Sequence, residues 1–271
     1  MPATAATTRL PRVVLGLGLT PCVAWFTMLL APRVHVSAMF GNALAFAGGA
    51  LLPIGALALA TKTELGRAAT LVIAGLAAAT LLALAFTHPT ALAEMLLVDA
   101  ALVALGWALG ASLGRRVQHA SHLLPACVVA ACADCVSLLS PEGPTHAIAQ
   151  SDRALSLLAT WFPVLGTNAL APALGVGDLL FLGLVFGVAM VHGMPYLRTL
   201  SLALAGASCA GLIAARLEVA VPALLPIGAA ILLGLPMARR VRPADRAATK
   251  WSLVIASAIV IAVLARKFLS R

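Results

Sequence analysis

Four carboxylic acids stand where a carboxylic acid is costly. Glu94, Asp99, Asp134 and Asp178 fall inside long apolar stretches, and an ionised side chain at mid-bilayer costs about 2.5–3.5 kcal/mol on insertion scales. The other five acids sit in polar surroundings. Glu94 is near the end of its stretch and reaches the interface. Asp99 is deeper, has no basic neighbour in sequence, and reads as a protonated, hydrogen-bonded packing residue. Asp134 lies toward the C-terminal end of its stretch, in ACADCVSLLSPEGP, and Asp178 opens a later one, in GVGDLLF. If these two stretches are antiparallel helices, both carboxyls come to the same depth. Two carboxylates a few Å apart do not both ionise cheaply, so one keeps a proton and a general acid stands beside a general base. Such a pair can activate water with one member and protonate a leaving amine with the other.

The residues around these acids fit a place where another backbone approaches. Gly175 and Gly177 remove side chains beside Asp178 and loosen the helix there. A third stretch, VAVPALLPIG (219–228), carries Pro222 and Pro226. Proline removes backbone donors and breaks helix, and irregular backbone at membrane depth is tolerated only where it is buried in protein or lines a cavity. The five cysteines are Cys22, Cys127, Cys132, Cys135 and Cys209. Cys132 and Cys135 form a C-x-x-C, but no second Cys/His pair stands at ligand spacing, so they read as packing residues and no metal site is expected. The six histidines are scattered and form no ligand pattern. Nothing in the sequence calls for a cofactor.

These groups must be positioned within a membrane. The chain of 271 residues is 62% hydrophobic and 10% charged, with a mean hydropathy of +1.05. That is too little charge to cover a soluble domain. Windows of membrane-crossing length mark about nine helical spans: 12–31, 37–60, 68–87, 91–113, 120–140, 173–194, 197–215, 219–237 and 250–267. The expected fold is an all-α polytopic membrane protein, a single membrane domain over 1–271. Within it, 1–115 supplies N-terminal helices, 116–237 the acid-bearing core, and 238–271 a basic loop and one further span. The first span lacks a small-residue cleavage site and reads as retained. The longest connection, 141–172, is apolar enough to carry an interfacial helix. Gly110-xxx-Gly114 and Gly183-xxx-Gly187 fit close helix contacts. The net charge of +9 comes from basic residues in short loops, which is a topology signal and argues against nucleic-acid binding. Twelve of the eighteen basic residues fall on the side of the N-terminus and the loop 239–250, which places that side in the cytoplasm and 141–172 outside. The arginine-rich loop is suited to anionic lipid headgroups.

Taken together, Asp134, Gly175-Val176-Gly177-Asp178 and Pro222-Ala223-Leu224 resemble the presenilin and signal-peptide-peptidase family of intramembrane aspartyl proteases. That family has an aspartate in one span, Gly-x-Gly-Asp in the next and Pro-Ala-Leu two spans later. DCVSLLSPEGP (134–144) is similar to the presenilin stretch that runs from the first aspartate into a Pro-x-Gly-Pro turn. The resemblance covers roughly residues 95–235 and is nearest to prokaryotic presenilin-like proteins. It implies a presenilin-like bundle in the cell (inner) membrane, with Asp134 and Asp178 as catalytic residues. Gly175, Val176, Gly177, Pro222, Ala223 and Leu224 would support the site and the substrate. The substrates implied are transmembrane helices of other proteins, cut without metal or cofactor. A second Pro-Ala-Leu at 172–174 is read as chance. Three departures stand out: the family's tyrosine before its first aspartate is Ala133 here, four spans rather than five precede the helix of that aspartate, and one span follows Pro-Ala-Leu.

Two other functions stay open on the sequence. A proton-coupled transporter would use Asp99, Asp134 and Asp178 as a relay, although no inverted repeat is visible. An inactive relative would bind transmembrane helices without cutting them, and Ala133 favours it.

Overall fold

The computed structural model describes residues 23–24, 26–27, 30, 33–34, 36–63, 65–87, 89, 91–140, 142–167, 169–217 and 221–269. The described chain is mostly helical. Six helices are long and apolar enough to cross a membrane, and the protein is a membrane protein. They begin with α1 (Ala38–Thr61), α2 (Arg67–Thr87), α3 (Leu92–Gly114) and α4 (Ala120–Leu139). Two short helices follow, α5 (Pro144–Ala149) and α6 (Asp152–Leu158), then two strands, β1 (Ala159–Pro163) and β2 (Leu170–Gly175). The chain continues through α7 (Val176–Val191), α8 (Tyr196–Leu217), α9 (Leu224–Gly234), a four-residue α10 (Pro236–Arg239) and α11 (Arg246–Leu269).

This corrects the sequence reading in three places. The expected spans 173–194 and 219–237 are shorter helices of 16 and 11 residues, each preceded by non-helical backbone. Proline is the cause at both: Pro172 and Pro222 cannot donate in a helix. The connection 141–172 holds two short helices and the start of an antiparallel hairpin, so the fold is not purely α. Helix α7 then begins directly at the end of β2. The expected span 12–31 lies outside the described residues apart from isolated positions.

Helix α7 is the centre of the molecule. It is apolar all round, and Leu179, Leu182, Val185, Phe186 and Val188 are inaccessible to solvent. Its neighbour α3 widens into a π-helical stretch at Gly106–Ala111. Gly106, Gly110 and Gly114 there meet Gly183 and Gly187 of α7 so closely that a Cβ at Gly187 would stand 2.6 Å from the carbonyl oxygen of Ala111. Small residues let two backbones touch where no hydrophobic effect drives helices together. Helices α2 and α11 are at the rim and mostly exposed.

The hairpin rests on α1. A Cβ at Gly48 or Gly49 would collide with Phe162. Its turn is closed by Val164 N–H donating to the Ala169 carbonyl at 2.9 Å, with Gly166 at φ 86°, a left-handed conformation that glycine adopts without strain. The opposite end of the bundle is tied by side-chain hydrogen bonds. Arg115 donates to the carbonyls of Thr61 and Thr63 at 2.8 and 2.9 Å. His192 Nε2 donates to the Val117 carbonyl at 2.8 Å, and His122 meets Asp245 at 3.4 Å. The turns after α1, α3 and α7 and the segment before α11 therefore share one end.

The glycine contact gives a direct test. Gly110→Val or Gly183→Val forces the α3–α7 backbones apart and is expected to cost about 1–3 kcal/mol, read as a lower thermal midpoint in detergent. Gly75→Ala, where a Cβ meets nothing within 4 Å, leaves the midpoint unchanged or raises it.

Candidate active site

Asp134 sits five residues before the end of α4. The chain folds back at once: Ser137 Oγ accepts from the Thr145 amide at 2.8 Å and donates to Thr145 Oγ1 at 2.6 Å. Gly143 packs against the Ser137 carbonyl so tightly that a Cβ has no room. Pro144 starts α5 at a position that needs no donor. The SPEGP turn thus clamps the last turn of α4 and sets the depth of Asp134.

The carboxyl of Asp134 reaches across to the start of α9. Its Oδ2 accepts from the Leu224 amide at 3.1 Å, a donor left over because helix α9 is only beginning. Pro222 and Ala223 build that beginning: the Pro222 carbonyl accepts from Leu225 N–H at 3.4 Å and the Ala223 carbonyl from Ile227 N–H at 3.2 Å. Asp178 occupies the third position of α7, and its Oδ2 accepts from the Gly175 amide at 2.9 Å. It caps its own helix, where the helix dipole favours negative charge.

Both carboxyls border one cavity of about 540 Å³, together with Gly175, Val176, Gly177, Ala223 and Leu224. No direct hydrogen bond joins the two carboxyls; each is held by a different backbone amide. Pro222 does not line the cavity. Gly177 leaves open space, so a side chain there would fill the cavity mouth. A second cavity of about 750 Å³ meets the first at Asp134, Thr145, Gly177 and Leu224, and runs out past Ala133 to Ala256 and Ile259 of α11. Ala133 is therefore placed beside the acid, on the α11 side. The single tyrosine, Tyr196, donates to the Ala58 carbonyl at the far end of α1, so no phenol replaces the one absent at Ala133.

The structure adds residues that the sequence reading passed over. Thr145 brings a hydroxyl to the meeting point of the two cavities. Strand β2 forms one wall through Pro172, Ala173, Leu174 and Gly175, so the Pro-Ala-Leu at 172–174, set aside as chance, belongs to the site. Signals for the strands were present, in the β-forming Thr160-Trp161-Phe162 and the turn residue Gly166. Asp99 is elsewhere: it is buried in α3, and Oδ1 accepts from the Trp161 amide at 2.9 Å. Cys132 and Cys135 are free thiols bordering an apolar gap of about 270 Å³ between α4, α9 and α11. Among the described residues, no group of three or more His, Cys, Asp or Glu is arranged to hold a metal.

Comparison with family models, with curated proteins and with solved structures finds no match to this chain.

The shared cavity can be tested without any activity. With the native cysteines replaced by alanine, the pair Asp134→Cys and Asp178→Cys is expected to be bridged by a short bis-thiosulfonate, seen as one added linker mass and loss of both thiols. Two singly modified thiols would place the residues apart.

Proposed function

We propose that the protein is an intramembrane aspartyl protease of the presenilin type, cutting peptide bonds within transmembrane segments through Asp134 and Asp178. The observation that carries this reading is the pair of carboxyls on one cavity, each with one oxygen anchored by a backbone amide. In the working form the pair carries a single proton. The ionised carboxyl takes a proton from water as its oxygen adds to the scissile carbonyl, and the protonated one supplies the proton that the departing amine needs. The bond broken is C–N, the bond formed is C–O, and no covalent enzyme intermediate is needed.

A transmembrane helix hides its peptide bonds in its own hydrogen bonds, so the segment must be held unwound. Strand β2 borders the cavity and offers backbone groups for strand addition. A proton relay through three carboxylates has less support, because Asp99 bonds to β1 and does not border the cavity of the other two. Presenilin-like architecture, about nine spans, residence in a prokaryotic cell membrane and transmembrane proteins as substrates complete the proposal.

Asp134→Asn or Asp178→Asn should each abolish cleavage of a single-span substrate by the purified protein, and the double variant should be no worse, because the pair acts as a unit. Metal chelation should leave the rate unchanged. Full cleavage by either single variant overturns the dyad. A folded wild type that binds single-span helices and cuts none favours the inactive relative.

The basic end is proposed to face the cytoplasm. Reporters fused within 239–250 should read as cytoplasmic and those within 142–158 as external; the reverse pattern contradicts the proposed orientation.

A further inference from the structure

Asp99 has no part in the chemistry of the dyad, yet it is the most deeply buried acid in the described chain, 1% exposed. A leucine of similar size would pack there without any desolvation cost. Among the described residues its hydrogen-bond partner is the backbone amide of Trp161, in β1.

That amide lies at the weak point of the hairpin. The pairs Pro163↔Leu170, Phe162↔Ala171 and Trp161↔Pro172 are in register, but the next pair is Ala159↔Gly175, so β2 holds one residue more than β1 over this step. Pro163 and Pro172 have no N–H, which leaves the ladder short of donors on both strands where register must be fixed. Two side chains bond at this step. Thr160 Oγ1 accepts from the Leu174 amide at 3.1 Å and donates to its carbonyl at 3.4 Å, spanning the bulge. Asp99 holds the neighbouring Trp161 from the α3 side. The next amide along β2, Gly175 N–H, is the one that Asp178 accepts. A short series of bonds therefore runs from α3 through β1 and β2 to the catalytic carboxyl.

We propose that Asp99 is a positioning residue: by holding Trp161 it fixes the register of β1 against β2, and so the strand on which a substrate is laid and the loop that carries Asp178. This rests on the protease reading above. The helix that carries Asp99 also packs, through Gly106 and Gly110, directly on α7. Both the strand before Asp178 and the helix after it are thus referenced to α3. The role needs an acceptor, not a charge.

The test compares Asp99→Asn, which keeps an acceptor, with Asp99→Leu, which does not, and adds Thr160→Val as an independent break in the same series. Cleavage of a single-span substrate is read as rate and, by mass spectrometry, as cut position. Asp99→Leu and Thr160→Val should slow cleavage by about tenfold to a hundredfold and spread the cuts to neighbouring bonds, while Asp99→Asn keeps the wild-type cut position. Amide hydrogen exchange over 159–175 should rise in Asp99→Leu and stay at wild-type level in Asp99→Asn. Wild-type cut positions and wild-type exchange in Asp99→Leu overturn the proposal, as does an asparagine variant as impaired as the leucine one. If Asp99→Leu does not fold, Thr160→Val decides the cut-position claim and Asp99→Asn the acceptor claim. A wild type that cuts nothing overturns the protease reading and the positioning role with it, while the exchange measurement still reports whether Asp99 holds the strand.

Discussion

At membrane depth a backbone amide without an acceptor has no water to turn to, and leaving it unpaired costs about 1–3 kcal/mol or more. This chain breaks its helices several times within its apolar stretches, and each break leaves such amides. The four acids in those stretches each take one, three of them inside, Asp99 that of Trp161, Asp134 that of Leu224 and Asp178 that of Gly175, and Glu94 that of Ala91 at an exposed helix start. The irregular backbone and the buried carboxyls therefore stabilise each other. Neither is tolerable in lipid alone, and a hairpin can exist at this depth only because its outer edge is covered by α3 and its face by α1.

Two of the four have a second function available because of where their breaks fall. Asp134 and Asp178 belong to helices that end or begin at the same cavity, and a carboxyl anchored by one oxygen presents its other in a fixed direction. The anchoring explains how an acid–base pair can be held without a direct bond between its members. Beside the two carboxyls the wall is small, at Gly175, Gly177 and Ala223, while larger side chains such as Phe46, Leu138 and Leu158 line the rest; under the proposed function the small residues leave room for another chain. The glycine-lined contact between α3 and α7 supplies the rigidity that the broken helices lack.

Much of this was legible in the sequence. The costly acids, the Gly-x-Gly-Asp and the two prolines after position 220 marked the segments that meet at the cavity, because a charge or a proline in an apolar run has few structural reasons to be there. Hydropathy located the long helices. It could not separate a helix from a buried strand over 159–175, since both read as apolar and periodicity is lost when every face is covered. Pro172, Gly175 and the turn around Gly166 carried the signal for the hairpin, but it was outweighed by the expectation that lipid admits only helices. Asp99 was recognised as a hydrogen-bonded packing residue; its partner was beyond reach, because the bond spans 62 positions of sequence and depends on a strand that hydropathy hid.

The central claim is that water is added to a peptide bond inside an apolar segment at the Asp134–Asp178 cavity. Intact-mass analysis of a single-span substrate, incubated with the purified protein in ¹⁸O-labelled water, tests it most directly. The account predicts two fragments whose junction lies within the apolar segment, with one ¹⁸O in the new carboxyl group, and none of either when Asp178 is replaced by asparagine. Intact substrate with wild-type protein, or the same labelled fragments from the Asp178→Asn variant, would contradict it.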